Sequence, residues 1–527
     1  MDKQTFERNL LALSKRDTFL CTKLSSAITS SGVYRFLQAR SGEIIPAITG
    51  NDGAAHPLHS TVDPRKEGER LISTLAEEGY LVFLGLGGAF AAEAALERIA
   101  TKKILIIEYG CNGIAELFSS KDYIKLLQDY RVRILCDPSA EQLESFITGN
   151  YIPAIDGGIR VFPLRARTDA DNLFCIAVDA LKNAIDAVSR DYSVQAYFGK
   201  KWFSNIIRNL PFAEYQSGTM APVRKALICA AGPSLEDQIP LIKNETGDEK
   251  NFLIAADTSL PALLHAGIEP DAVVSIDCQH ISYQHFFCKL PEKTILFLDL
   301  ASPPLIAART KKRIFFSGGH PLSLYITRSW RPLPILDTSG ANVTYAALSL
   351  AENLGVKELT LFGADFSYPQ GKTYARGTYI YPFFEKNQSR FAPVESQHSS
   401  FLYRDSSLEK IYKTNSTWHY ETKSLKFYRE KVKEKEKTLR KTKLHELSLL
   451  CSGKAQQNAL DFLKEYKNTV KNLKSFDSLQ HNEITATLLP LASFFRRINP
   501  LHNPEDLFSE VKIYAIKELN NIIKQYH

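Results

Sequence analysis

The chain has no glycine loop of the form G-x-x-x-x-G-K-[ST], so a P-loop phosphate site is excluded. It also lacks H-E-x-x-H, G-x-S-x-G and the protein-kinase signature set, which argues against zinc protease, serine hydrolase and protein kinase chemistry. No uncharged apolar run approaches the ~18 residues of a membrane span. The opening MDKQTFERNLLALSKRD is charged and amphipathic without an apolar core, so no secretory signal is expected there. The 8 cysteines are scattered singly, with neither zinc-finger spacing nor a disulfide framework, which fits a reducing compartment and a cytoplasmic location. A net charge of +7 is small over 527 residues and does not point to nucleic acid as a partner.

What the chain does contain is a repeated strand-and-turn pattern between Lys225 and Cys278. Ala226–Ala230 is short, apolar and ended by a turn signal, as a strand buried on both faces should be. The turn Ala231-Gly232-Pro233-Ser234 opens into a helix for which Ser234 is a suitable N-cap, with Asp237 completing a capping-box pattern. A strand, a glycine turn and a helix start together offer backbone N–H groups and a positive dipole end to a phosphate. A second buried strand, Phe252–Ala256, ends in Asp257-Thr258. A third, Ala272–Ile276, contains Ser275 and ends in Asp277. In open α/β sheets ligands bind at that carboxyl edge, so the three strand ends together predict a site. A single Asp at a strand end more often caps a turn. Asp257, Asp277 and Asp365 are the candidate catalytic acids, able to serve as hydroxyl acceptors, metal ligands or a general base. His280, His285 and His320 follow strand ends and are further acid/base candidates.

At 527 residues and 44% apolar the chain has room for several cores. Residues 1–59 predict a helix around Phe6–Leu13 and a hairpin of Tyr34–Ala39 with Glu43–Ile48, packed on the next domain. Residues 60–195 predict that domain to be Rossmann-like. Asp63-Pro64 forms an N-cap and first-turn pair. Strand Tyr80–Leu84, the turn Gly85-Leu86-Gly87-Gly88, a helix and strand Ile104–Ile107 ending in Glu108 come in dinucleotide-binding order. Phe90 replaces the third glycine of that pattern, so Gly85, Gly87 and Glu108 are a weak cofactor-binding expectation beside that of an empty inherited scaffold. Strands Arg133–Cys136 and Gly158–Phe162 and a helix over roughly Asp169–Val188 continue the pattern, and residues 190–224 bridge onward with a second helix, Tyr197–Asn209.

Residues 196–415 predict the central domain, an α/β unit with a mostly parallel sheet. Its later strands are Thr294–Leu298 before Asp299, Arg313–Phe316, and Leu359–Phe362 before Gly363-Ala364-Asp365-Phe366-Ser367-Tyr368. A helix over Ala341–Leu354 offers a second hydroxyl- or phosphate-binding start at Ser339, Gly340 and Asn342, with Asp365 and Tyr368 nearby. From Lys372 to Asn415 the chain reads as irregular, and Tyr374–Tyr381 as a lid over the cleft. Residues 416–527 predict a C-terminal helical domain. Its basic run from Lys423 is read as a solvated helix face, with a groove for an acidic partner as the alternative.

The motifs A-G-P-S-L at 231–235, A-D-T at 256–258, A-G-I-E-P-D at 266–271 and S-I-D at 275–277 resemble the central domain of the motility accessory factor (Maf) family. SGANVTYAALSLAENLG and LFGADFSY are similar to a second block of that domain. HSTVDPRKEGERLI, VFLGLGGAF and IIEYG are similar to its N-terminal Rossmann-like domain. The resemblance implies a sialyltransferase-like central domain. It also implies a glycosyltransferase that attaches a nonulosonic (sialic-acid-like) sugar from a CMP-activated donor to Ser or Thr of flagellin, in support of motility. On that reading the nucleotide phosphate lies against Gly232, Pro233 and Ser234, and Asp257, Thr258, Ser275 and Asp277 hold ribose, sugar or metal. Mg is possible, and no tightly bound cofactor is expected. The same domain resembles 6-hydroxymethylpterin diphosphokinase (MptE-like) proteins, which would imply ATP, magnesium and a pterin. A non-catalytic flagellar assembly factor is the third reading.

Overall fold

The computed structural model describes residues 2–50, 53–169, 171–215, 219–247, 251–412, 418–441, 449–450, 455–476 and 483–525. The chain divides into two compact units, residues 1–196 with 476–480, and residues 197–475 with 481–527.

The first unit begins with two helices, Lys3–Ser14 and Thr18–Ser25, each started by an aspartate. Asp2 accepts from the Gln4 N–H and Asp17 from the Leu20 N–H, so both helix starts satisfy one orphan donor locally. Strands Arg35–Gln38 and Ile44–Thr49 form the expected antiparallel hairpin. Asp63 caps helix Pro64–Ser73 through the Lys66 N–H, with Pro64 in the first turn as the sequence predicts. The main sheet is fully parallel, in the order Val132–Cys136, Lys103–Glu108, Glu78–Leu84, Gly158–Pro163. Leu81, Ile104, Ile106 and Phe83 face a core that includes Leu13, Leu20 and Leu24 of the first two helices. Val82, Leu84, Leu105 and Ile107 face the other core, with Phe174, Ala177 and Leu181. Burial on both faces is why these strands read as continuous apolar runs rather than alternating ones.

Asn172–Glu214 is one helix of 43 residues, where the sequence pattern suggests two helices and a linker. The intervening SRDYSVQA contains no glycine or proline, so nothing interrupts the helical hydrogen bonds there.

The second unit is built on six parallel strands in the order Arg313–Phe316, Ile295–Asp299, Ala272–Ser275, Asn251–Ala256, Lys225–Cys229, Glu358–Phe362. The first five in sequence are laid down in one direction from Lys225–Cys229. The last crosses back to its other side, so the order reverses between Lys225–Cys229 and Glu358–Phe362. That reversal opens a crevice at the carboxyl ends of the strands. Helix Val343–Asn353 packs its Ala346, Ala347, Leu350 and Ala351 on this sheet, with Val432 and Leu439 of helix Lys423–Lys441 in the same core. The basic run is therefore in part a packed helix, and its residues 442–448 lie outside the described residues.

The stretch 372–412 is not irregular, and residues 413–415 of the expected irregular segment lie outside the described residues. It forms helices Ile380–Lys386 and Val394–Tyr403 and strand Glu409–Tyr412. Phe384 packs edge-on against His398 and Phe401, which supplies the small core that makes two short helices stable. Strand Glu409–Tyr412 and Tyr368–Pro369 both pair with Trp418–Glu421. The C-terminal helices are Ala459–Asn472, Glu483–Ile498 and Pro504–Gln525, joined by buried Phe462, Leu488, Leu491, Val511 and Leu519. Among the described residues no helix is long and apolar enough to cross a membrane.

One glycine is demanded by a close approach. A Cβ at Gly199 would lie 1.9 Å from the Pro490 carbonyl oxygen, so the helix backbone there touches helix Glu483–Ile498 directly. Overpacking of this kind outweighs the gain in helix propensity. Gly199→Ala is expected to lower stability by about 2 kcal/mol, read as a fall in the urea midpoint at unchanged slope. An unchanged midpoint would mean that the two helices part without cost.

Candidate functional site

The carboxyl edge of the six-stranded sheet gathers polar groups because the strands themselves are buried on both faces. At the reversal point, the glycine turn after Lys225–Cys229 meets the loop after Glu358–Phe362. The Gly232 N–H donates to Gly363 O at 2.8 Å, and the Ser234 N–H donates to Asp365 Oδ2 at 2.9 Å. The Gly363 N–H donates to Gln238 Oε1 at 2.8 Å, which locks the second loop onto helix Leu235–Thr246. Pro233 has no N–H, and the Leu235 and Glu236 N–H groups turn back to Gly232 O and Pro233 O. The helix start is thus supplied with an anion by the chain itself, the Asp365 carboxylate. Ser234 occupies the N-cap, but its side chain makes no capping bond, so the capping box suggested by Asp237 does not form. Gly232 is required here, since a Cβ would come within 2.2 Å of Asp365 Oδ2.

The next two strand ends carry Asp257 and Asp277. Asp257 is only 1% exposed, so its charge needs internal partners. Its Oδ2 accepts from Ser275 Oγ at 2.6 Å and its Oδ1 from the Thr258 N–H at 2.7 Å. Asp277 accepts from the Gln279 N–H at 2.9 Å. Burial pushes the Asp277 carboxyl above the ordinary range, the charge of Asp257 adds to this, and the Gln279 hydrogen bond only partly offsets it.

The aromatic loop is tied to the glycine turn and to the start of the helix that follows it. The Ala375 N–H donates to Ala231 O at 3.0 Å and the Arg376 N–H to Glu236 Oε1 at 2.9 Å. Tyr379 is held protonated chiefly by burial and then by the charges of Asp257 and Asp277, with Arg404 opposing. Tyr374 is shifted the same way by burial. His285 meets the Tyr379 ring edge-on at 4.6 Å. Tyr368, also raised by burial, belongs to the same aromatic group beside Arg404. The sequence marks Tyr374–Tyr381 as a lid without singling out Tyr379, and Arg404 carries no local motif that could have found it.

Further along the edge, Asp299 is fully enclosed and accepts from the Ala301 N–H at 2.7 Å. His320 Nε2 lies 3.7 Å from Asp299 Oδ1, and the His320 ring lies 4.3 Å from that of Trp202. Burial raises the Asp299 carboxyl and His320 opposes the shift. A cavity of about 640 Å³ opens beside these strand ends. Its lining includes Lys200, Lys201, Arg208, His280 and Tyr514. Asn205, also on its wall, donates to Cys278 O and Ala301 O and so fixes the helix on the loops that carry Asp277 and Asp299. Arg208 is paired with Glu518 at 3.1 Å, whereas Lys200 lies over the rings of Tyr514 and Phe494. Neither Lys200 nor Lys201 has an acidic partner among the described residues, so the cavity carries net positive charge.

Ser339, Gly340 and Asn342 are built into a helix cap. Asn342 Oδ1 accepts from the Tyr345 N–H at 2.9 Å, and its Nδ2 donates to Gly340 O at 2.8 Å. The Ser339 N–H and the Tyr345 hydroxyl both donate to Asp337, and a Cβ on Gly340 would strike the Tyr345 ring at 2.2 Å. Asp365 does not join this second helix start; it closes the first.

In the first unit, Gly85 and Gly87 adopt positive φ as the turn requires, but the space above them is filled. Cβ atoms there would lie 3.1 Å from Leu164 and 2.7 Å from His59. His59 is kept neutral, pushed down to about 4 by burial, and its Nε2 accepts from the Gly88 N–H at 2.8 Å. Glu108 is buried and accepts from the Leu86 N–H at 2.8 Å, with Arg167 paired to it at 3.1 Å. The acid that would meet a ribose is engaged within the fold.

Because Asp365 serves the first helix start as its cap, Asp365→Ala is expected to cost about 1 kcal/mol. Chemical denaturation measures this, and Asp365→Asn, which keeps an acceptor, should recover most of it. Equal losses in both variants would show that the carboxylate acts by charge rather than by the hydrogen bond.

Comparison with known proteins places this geometry in context. Residues 200–371 match the family model described as 6-hydroxymethylpterin diphosphokinase MptE-like. Two uncharacterized proteins of Treponema pallidum (strain Nichols) are similar in sequence. One is 39% identical over 125 residues, covering 23% of this chain and 44% of its own length. The other is 29% identical over 182 residues, covering 33% of this chain and 84% of its own. The chain thus spans less than half the length of the first. A Maf glycosyltransferase from Magnetospirillum magneticum AMB-1 superposes over 99% of this chain and 95% of its own, with TM-score 0.58 and 14% identity. The chain has the fold of that Maf glycosyltransferase, and its residues 200–371 match the MptE-like family model.

Proposed function

We propose that this protein is a glycosyltransferase that moves a nonulosonic, sialic-acid-like sugar from a CMP-activated donor to a Ser or Thr hydroxyl of flagellin, in support of flagellar assembly and motility. The observation that carries the proposal is the convergence of Asp257, Asp277 and Tyr379 at the carboxyl edge of a sheet whose fold is shared with a glycosyltransferase.

In this reading Asp277 is the general base. Its raised pKa brings it toward the working pH, where a base is most effective. It takes the proton of the acceptor hydroxyl as that oxygen attacks the anomeric carbon. The bond from that carbon to the phosphate oxygen of CMP breaks, and CMP leaves with the electron pair. Tyr379, protonated at neutral pH, donates a hydrogen bond to the departing phosphate. Asp257, fixed by Ser275 and Thr258, keeps Asp277 basic by its charge. The donor carries a carboxylate and a phosphate, and both suit the uncompensated Lys200 and Lys201 of the neighbouring cavity. If the reaction uses magnesium, the hard oxygens of Asp257 would hold it and it would neutralise phosphate charge, leaving Asp277 as the base.

The second reading is a magnesium- and ATP-dependent pterin diphosphokinase, favoured by the family match over residues 200–371. Scanning fluorimetry with CMP and with ATP, each with and without magnesium, separates the two. Stabilisation by CMP is the expected outcome. Stabilisation by ATP with magnesium alone would overturn the proposal in favour of the diphosphokinase, and no response to either would favour a non-catalytic assembly role.

The proposed base also predicts a pH dependence. Transfer should rise with pH through the Asp277 pKa, because only the carboxylate accepts the proton. The acid limb should therefore lie above the ordinary carboxylate range. Asp257→Asn removes the like charge and should move that limb to lower pH, while Asp277→Asn should cost about 10²–10⁴ in kcat. An acid limb unmoved in Asp257→Asn, or full activity in Asp277→Asn, would remove Asp277 from this role.

A further inference from the structure

Outside the site described above, the first unit brings two cysteines together. Cys111 opens helix Cys111–Ser120, just after strand Lys103–Glu108. Cys136 ends the adjacent strand Val132–Cys136, where it is in register with Glu108. Their sulfurs lie 3.0 Å apart. Asp137, at φ +53°, turns its carboxylate back over the pair. Its Oδ2 is 3.5 Å from Cys111 Sγ and 3.3 Å from Cys136 Sγ, while its Oδ1 accepts from the Gly110 N–H at 2.7 Å. Lys23 completes the cluster, with Nζ 2.9 Å from Asp137 Oδ2 and 3.9 Å from Cys136 Sγ. Both thiols are partly accessible.

We propose that Cys111 and Cys136 form a reversible dithiol–disulfide site that closes across the carboxyl ends of two adjacent strands when the protein meets a low-molecular-weight disulfide. The separation of the sulfurs is short enough that closing needs little backbone movement. Cys111 is the attacking thiol, because its partner Cys136 is the one held protonated. The Cys136 thiol is pushed up by burial and by its bond to Cys111, so it reacts second. Cys111 attacks one sulfur of the disulfide R–S–S–R, forming a mixed disulfide and releasing R–SH. Cys136 then attacks the Cys111 sulfur, forming Cys111–S–S–Cys136 and releasing a second R–SH. The chain gives up two electrons and two protons, and the small disulfide takes them up as two thiols.

Three of these groups also resemble a metal set, since two sulfurs and a carboxylate oxygen lie close together. The Lys23 ammonium already neutralises that carboxylate, and a divalent ion would have to bind against it. The arrangement favours thiol–disulfide chemistry over metal binding.

The test uses the full-length protein in glutathione buffers poised from fully reduced to oxidised, followed by thiol tagging and peptide mass mapping. The expected result is one Cys111–Cys136 cross-linked peptide pair that accumulates with oxidation and is cleared by dithiothreitol. The cross-link should be absent from Cys111→Ser, and the oxidised wild type should melt roughly 5 °C or more higher than the reduced. Two outcomes would overturn the proposal. One is that Cys111 and Cys136 are separately tagged or separately glutathionylated at the most oxidising poise. The other is that the protein as purified holds stoichiometric zinc, by elemental analysis, which protects both thiols from tagging.

Discussion

A parallel strand covered on both faces has nowhere to put a polar side chain except at its ends. The central strands of both sheets obey that constraint, and the chemistry at their ends is set by it. In the six-stranded sheet, Asp257, Asp277, Asp299 and Asp365 all follow or end strands on the same edge. In the four-stranded sheet, Glu108 and Cys136 end neighbouring strands in register. Charges crowded at one edge repel, and burial raises the carboxyls of Asp277, Asp299 and Glu108. The protein answers with backbone N–H groups, hydroxyls and a few cations, and where the answer is incomplete, as at Asp277, a carboxyl is left with raised basicity.

The same local signal, a strand running into a glycine turn and a helix, occurs at Gly85–Gly88 in the first unit and at Gly232 in the second, and at both turns the chain closes it with its own carboxylate. Glu108 accepts from the Leu86 N–H in the first unit, and Asp365 accepts from the Ser234 N–H in the second. The first closure is deeper, because Arg167 locks Glu108 and His59 with Leu164 fills the turn. The second lies at the strand-order reversal, where a crevice remains beside it. The proposed chemistry of the second unit therefore lies one strand further along, on Asp257 and Asp277 near Tyr379.

In the proposed reaction each group at this edge has a separate task. Asp257 is spent on holding position and field, with both oxygens engaged. Asp277 keeps a freer carboxylate. Tyr379 is kept protonated by the same burial and negative charge that make Asp277 basic, so one environment produces both a base and a hydrogen-bond donor. The cationic cavity beside them is built by a helix pinned through Asn205 to the two loops that carry the acids. Donor binding and acid–base chemistry therefore share one support.

Local sequence determined the strands, their order of appearance and the acids at their ends, because short apolar runs and turn residues act over a few residues only. The hairpin at Arg35–Gln38 and Ile44–Thr49, the Asp63 cap and the strands bearing Asp257 and Asp277 were all legible for that reason. The motifs between Ala231 and Tyr368 also carried the resemblance to the Maf fold that the structural comparison shows. The helices within 372–415 were not legible, since their stability comes from Phe384 meeting His398 and Phe401 rather than from propensity. Only the tertiary structure decided which polar groups remained available. It committed Asn342 and Gly340 to a cap and Asp365 to the glycine turn, and brought Tyr379 within electrostatic reach of Asp257 and Asp277. It also set Cys111 against Cys136, a pairing that their scattered positions along the chain give no reason to expect. Those assignments rest on contacts between residues far apart in the chain, where spacing carries no information and close packing alone selects the partner.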